Sequence, residues 1–204
     1  DRVKELLGGK VPSRMELFTY MEDEIYQYCM KHTKENPFRH YLDYLYGKGE
    51  VSEEEKELYR GIGKDFLGVI ETTDMTKVYK MPILYSFYNN GDIRLEVTEE
   101  EVLACWKEFF DRNKNWRDFS EGITYEEYKS MSDRRHLTKA KTMPIRFLKE
   151  SGKGFFVEKE GCALAIREDL MPVIESAAFR SHMKDILEYR TMDYYRRRYR
   201  GKTE

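Results

Sequence analysis

Four Ser/Thr-x-x-Glu tetrads punctuate this chain: Ser13/Glu16, Ser52/Glu55, Thr98/Glu101 and Thr124/Glu127. In such a box the hydroxyl accepts from an orphan amide of a helix's first turn, and the Glu carboxylate accepts from the amide of the cap residue. Four helix-start signals in one chain constrain it to a mainly helical fold. After Ser13, the residues Met15, Phe18, Met21, Ile25, Tyr28 and Cys29 recur at helical spacing and predict a core-facing stripe. A second helix is expected over 38–46, ending at Gly47 and Gly49. A third is expected over 53–71, which Gly61, Gly63 and Gly68 either weaken, at ~1 kcal/mol each, or split in two. Residues 1–73 therefore read as a helical bundle.

The pattern then changes. Asp74 is placed to cap a helix running through 79–88 with Pro82 inside it, and Asn89-Asn90-Gly91 stops it. Residues 92–97 alternate like a strand, and Thr98 opens a helix over 99–111. Thr124 caps a short helix containing Tyr125 and Tyr128, and Asp133 is placed to cap a helix over 134–151. A hairpin of 155–159 and 162–166 follows, turning at Glu160-Gly161. Helix, turn, helix and two-stranded hairpin is the winged-helix plan. A last long helix over 177–200 ends at Gly201. The expected architecture is mainly α: a bundle in 1–73, then one or two winged-helix-like units with small β-hairpins and a long C-terminal helix in 74–204. Met81-Pro82-Ile83 recurs as Met143-Pro144-Ile145, 62 residues later, each before a Gly stop and a strand carrying Glu96 or Glu158. This fits a distant duplication, in which each Pro either sits in a first helical turn or kinks a longer helix.

Apolar residues make up 40% of the chain and charged residues 36%, which favours a globular fold over disorder. No apolar run reaches the roughly 20 residues a bilayer requires. Cys29, Cys105 and Cys162 are odd in number and far apart, so neither a disulfide framework nor a zinc site is expected, and a reducing, cytoplasmic setting fits. The chain starts at Asp1 in what reads as the tail of a helix, as a piece of a longer protein would.

Charge is uneven along the sequence. Residues 1–133 hold 19 Lys/Arg against 28 Asp/Glu, and residues 134–204 hold 17 against 10. Either the basic part faces a polyanion or the two parts attract each other. The candidate nucleic-acid contacts are Arg134, Arg135, Lys139, Lys141, Arg146 and Lys149 on the 134–151 helix, with Lys153 and Lys159 bordering the hairpin. Arg196, Arg197, Arg198 and Arg200 form a second candidate cluster, interleaved with Tyr195 and Tyr199. These could grip phosphates and stack on bases; alternatively the tyrosines pack inward while the arginines complement the helix dipole.

Phosphate-loop, dinucleotide, zinc-protease and serine-hydrolase motifs are missing, and His32, His40, His136 and His182 stand at no metal-ligand spacing. No catalytic residue, metal or cofactor is expected. His136, among basic residues, reads as a surface contact. Asp118 followed by Glu127-x-Lys129 follows the order of metal-dependent nucleases, but Glu127 belongs to a capping box.

Residues 70–77 (Ile70-Glu71-Thr72-Thr73-Asp74-Met75-Thr76-Lys77), Tyr79-Lys80-Met81-Pro82-Ile83 and the 155–166 hairpin carry a family resemblance. Over most of 10–200 the chain resembles the C-terminal accessory region of bacterial superfamily II, DEAD/DEAH-box-like helicase proteins, some associated with restriction or phage defence. The resemblance implies ATPase lobes N-terminal to Asp1 and a role here in engaging duplex DNA or in regulation. It transfers no catalytic residue, because none of the family's ATPase motifs is present. A protein-interaction or oligomerisation module is the competing reading.

Overall fold

A computed structural model describes residues 1–32, 36–89 and 91–200. The chain divides into two compact units, Asp1–Thr72 with Pro172–Glu204, and Thr73–Met171.

The first unit is helical. It contains α1 (Arg2–Leu6), α2 (Arg14–Tyr20), α3 (Asp23–Lys31), α4 (Tyr41–Lys48), α5 (Glu53–Arg60) and α6 (Ile62–Thr72). The capping boxes at Ser13/Glu16 and Ser52/Glu55 both form and start α2 and α5. Gly49 closes α4 with a left-handed φ of 69°, and Gly61 separates α5 from α6. The stripe after Ser13 is corrected: the backbone becomes extended at Met21 and Glu22, so two helices replace one. That break changes the phase. Leu17 and Tyr26 are buried, while Ile25 and Tyr28 face solvent.

The long helix α12 (Ala177–Tyr199) also lies in this unit, packed on α2, α5 and α6. A boundary placing it with 74–171 is thereby corrected. Its Phe179, Met183, Ile186 and Leu187 are almost completely buried. The predicted stop of this helix at Gly201 lies outside the described residues, as does Asn90 in the stop after 88.

A buried polar network runs through the same unit. Arg14, 1% exposed, pairs with Glu71, lies 3.4 Å from Asp185, and sits over the rings of Tyr41 and Tyr189. Tyr26 donates to Asp193 at 2.5 Å, and Arg190 donates to the Ile70 carbonyl at 2.8 Å. Burial lowers the Arg190 pKa to about 10.

The second unit combines helices with small antiparallel sheets. Helix α7 (Lys80–Phe87) begins at Tyr79 without a side-chain cap, so Asp74 does not cap it. The expected strand over 92–97 divides in two: β1 (Tyr88–Asn89) pairs with β2 (Asp92–Ile93), and β3 (Glu96–Val97) joins another sheet. Thr98/Glu101 caps α8 (Glu99–Asp111) and Thr124/Glu127 caps α9 (Tyr125–Lys129), both as complete boxes. Next comes a continuous helical stretch: α10 (Asp133–Ala140), a π-helical turn (Lys141–Ile145) and α11 (Arg146–Ser151). Ser132, and not Asp133, is its N-cap residue, and no side-chain cap bond forms there. The hairpin β4 (Phe156–Val157) and β5 (Leu164–Ile166) turns through Gly161 at a φ of 78°, and β3 adds to the outer side of β5. The sheet order is therefore β3-β5-β4.

The two Met-Pro-Ile segments do not take the same structure. Pro82 lies in the first turn of α7, where its missing amide removes no helical bond. Pro144 lies mid-helix, inside the π-helical turn, which accommodates its ring and missing amide. Among the described residues, no helix is long and apolar enough to cross a membrane.

Candidate nucleic-acid interface

The stretch 133–151 is held by its apolar face. His136, Ala140, Pro144, Ile145 and Leu148 are buried, spaced so that successive turns pack inward. This leaves basic side chains on the remaining faces, but they meet different surroundings.

Arg134 and Arg135 are exposed on the first turn of α10 and form no ion pair among the described residues. Lys153 is likewise exposed and unpaired, with a left-handed φ of 50° in the turn after α11. Lys141 pairs with Glu99, Lys149 with Glu158, and Arg146 loosely with Glu150 at 3.7 Å. Lys159 donates to Glu96 at 2.5 Å and Glu168 at 3.0 Å, and these bonds raise its pKa. The hairpin turn adds Glu158 and Glu160, so the expected basic wing is mixed in charge.

Lys139 turns inward. Its Nζ donates to Ser120 Oγ at 2.8 Å and lies 4.6 Å from the Phe119 ring centroid and 5.0 Å from that of Tyr79. Burial, then the charges of Lys77 and Arg135, lowers its pKa. It anchors the 112–123 loop and is not placed as a phosphate contact. His136 is also corrected from surface contact to core residue. It is 2% exposed, edge-on to Phe119 and Tyr128 at 5.0 and 5.5 Å.

The C-terminal arginines belong to the first unit, where acidic side chains meet them. Arg196 and Arg200 both pair with Asp23, and Arg197 pairs with Asp193 at 2.9 Å. Arg196 also lies over the rings of Phe18 and Tyr26, at 4.9 and 4.7 Å. Arg198 is exposed on the same turn. The inward-facing residues are Tyr189, Asp193 and Tyr194, while Tyr199 stacks on Tyr195 and remains 42% exposed. The structure does not bring this cluster together with Arg134 and Arg135 in one unit.

Folding also redistributes the charge. Residues 73–171 carry 17 Lys/Arg and 18 Asp/Glu, close to neutral. The basic C-terminal helix meets acidic residues such as Asp23 within its own unit, an arrangement consistent with the second of the two readings offered by the charge pattern.

Glu127 holds the Thr124 cap and Asp118 is buried at 2% exposure, so the nuclease-like order of residues is not assembled into a carboxylate cluster. Among the described residues, no three His, Cys, Asp or Glu side chains are grouped to hold a metal ion. Missed by sequence reasoning is an aromatic pair, half-buried Trp116 and exposed Tyr125, with ring centroids 5.4 Å apart and planes tilted by 58°. Their spacing, nine residues across a loop, matches no periodic pattern. Compared with known proteins, the chain matches no family model, no curated protein and no solved structure.

Proposed function

We propose that residues 73–171 form a winged-helix-like module that binds nucleic acid, with duplex DNA as the leading partner. The order α7, β3, α8, α10–α11, β4, β5 supports this reading, as does the pairing of β3 and β4 on either side of β5. The observation that carries it is the exposed, unpaired Arg134 and Arg135 on the first turn of α10. In helix-turn-helix recognition, the N-terminal residues of the second helix reach the bases while flanking cations hold phosphates. The paired lysines do not oppose this, because exposed ion pairs are worth about 0–1 kcal/mol and a phosphate readily replaces a carboxylate. The accessory role beside helicase-like ATPase lobes rests on the family resemblance alone.

Mobility shifts of the 204-residue chain on duplex DNA at two salt concentrations test the proposal. Wild type is expected to bind at low salt, and Arg134→Gln with Arg135→Gln to reduce the log–log salt slope by about 2. Absence of low-salt binding, or an unchanged slope in the double variant, overturns it.

One observation favours a protein-interaction module instead. Met143 and Phe147, four residues apart, are 39% and 38% exposed on the same helical stretch. Concentration-dependent self-association in sedimentation, removed by Met143→Ser with Phe147→Ser, would select that reading.

A further inference from the structure

The pair Trp116 and Tyr125 lies outside the buried aromatic core of the second unit. Trp106, Phe110 and Phe119 are buried, whereas Tyr125 is 46% exposed and Trp116 is half-buried. Two cations flank the pair, of which Lys129 also pairs with Asp111 at 3.3 Å. Arg117 lies 5.5 Å from the Trp116 ring centroid and Lys129 lies 5.9 Å from that of Tyr125, with Lys114 exposed two residues before Trp116.

The loop that carries Trp116 is pinned. Asn115 Nδ2 donates to the Phe109 carbonyl at 2.8 Å, Tyr79 Oη to the Phe119 carbonyl at 2.7 Å, and Lys139 Nζ to Ser120 Oγ at 2.8 Å. Asn113 turns the chain into it with a left-handed φ of 52°. On the other side, Tyr128 of α9 packs edge-on to His136, the residue after Arg135. The segments that carry the aromatic pair are thus tied through Phe119, Ser120 and Tyr128 to His136 and Lys139 of α10, the helix that bears the two arginines.

An anchored aromatic surface flanked by cations is the arrangement that stacks nucleobases, since every base offers a π-face and the cations hold its phosphate. Bases within a duplex are already stacked, so only an unpaired base can use it. We propose that Trp116 and Tyr125 form a stacking platform for an unpaired base, and that the preferred ligand is a duplex with a single-stranded extension. This rests on the nucleic-acid reading above and specifies its ligand.

The test compares blunt duplex with the same duplex bearing a short oligothymidine overhang, using the whole chain. Wild type should bind the overhang substrate about tenfold more tightly, the effect of one stacked base. The overhang, and not the blunt duplex, should quench Trp116 emission. The buried Trp106 supplies a constant background and reports that variants remain folded. Trp116→Ala and Tyr125→Ala should each erase the overhang preference while blunt-duplex binding persists, and Trp116→Phe should retain most of it. Equal affinity for the two substrates, or a preference that survives both alanine variants, overturns the platform and leaves duplex binding standing. Failure to bind either substrate at low salt overturns both readings.

Discussion

His136 couples the second unit to pH. Burial, and then the Lys107 charge, lowers its pKa from the usual 6.5, so the folded protein resists a proton that the unfolded chain accepts. Its neutral form costs nothing above pH 6.5. Below that value the unfolded chain gains the proton first, and stability falls until the folded-state pKa is passed. His136→Phe should therefore flatten the decline of the thermal midpoint between about pH 6.5 and 5. Glu55 acts in a lower window. A hydrogen bond with His182 pulls its pKa down to about 2 from 4.5, so its contribution is complete above pH 4.5 and lost as the pH falls towards 2. Arg14 offers a test that does not depend on pH. Arg14→Met leaves the buried Glu71 carboxylate without its guanidinium, and denaturant titration should register a loss of about 3–5 kcal/mol.

The helix starts form the element scale, and they were the most legible part of the chain. Each capping box closes within four residues, so no distant contact is needed to form it. Thr98→Ala should cost about 1 kcal/mol in denaturant unfolding, as should Ser52→Ala. Helix ends and interruptions were less legible. The 134–151 helix was recognised by its pattern, but the π-helical turn around Pro144 depends on how a prolyl ring is accommodated against packed neighbours. Asp74 and Asp133 are good cap residues by type, yet neither caps, because packing selected Tyr79 and Ser132 as the boundary positions. The junction from α11 to β4 is tighter still. A Cβ at Gly152 would stand 2.4 Å from both the Leu148 carbonyl oxygen and a Phe156 ring atom. Gly152→Ala should destabilise the protein by about 1–3 kcal/mol, read as a lower denaturation midpoint with unchanged slope.

At the scale of the whole chain, the C-terminal helix completes a core begun by residues 1–72. Phe179, Met183, Ile186 and Leu187 bury against that bundle, so removing 172–204 exposes its apolar interior. Amide exchange in the truncated chain should show loss of protection in 14–72 and retained protection in 80–166. Uniform loss throughout the chain would contradict the division into two units. The same long-range return brings Arg196 and Arg200 to Asp23 across more than 170 residues of sequence.

The sequence by itself determined the helical class, the four capped starts, the β-hairpin through Gly161 and the long last helix. All of these are set by hydrogen bonds and side-chain periodicities that act within a few residues. The structure decided that the 53–71 segment splits, and does so at Gly61. The sequence also identified Arg134, Arg135 and Lys153, though not that these three of the eight candidates on the helix and hairpin are the exposed ones that form no ion pair among the described residues. Tertiary structure decided that Lys139 and His136 turn inward, that the C-terminal arginines meet acids in another unit, and that Trp116 and Tyr125 lie side by side. Those outcomes depend on which segments are brought together across the chain. A basic residue shows its charge in the sequence, but the partner that neutralises it or leaves it free is chosen only by folding.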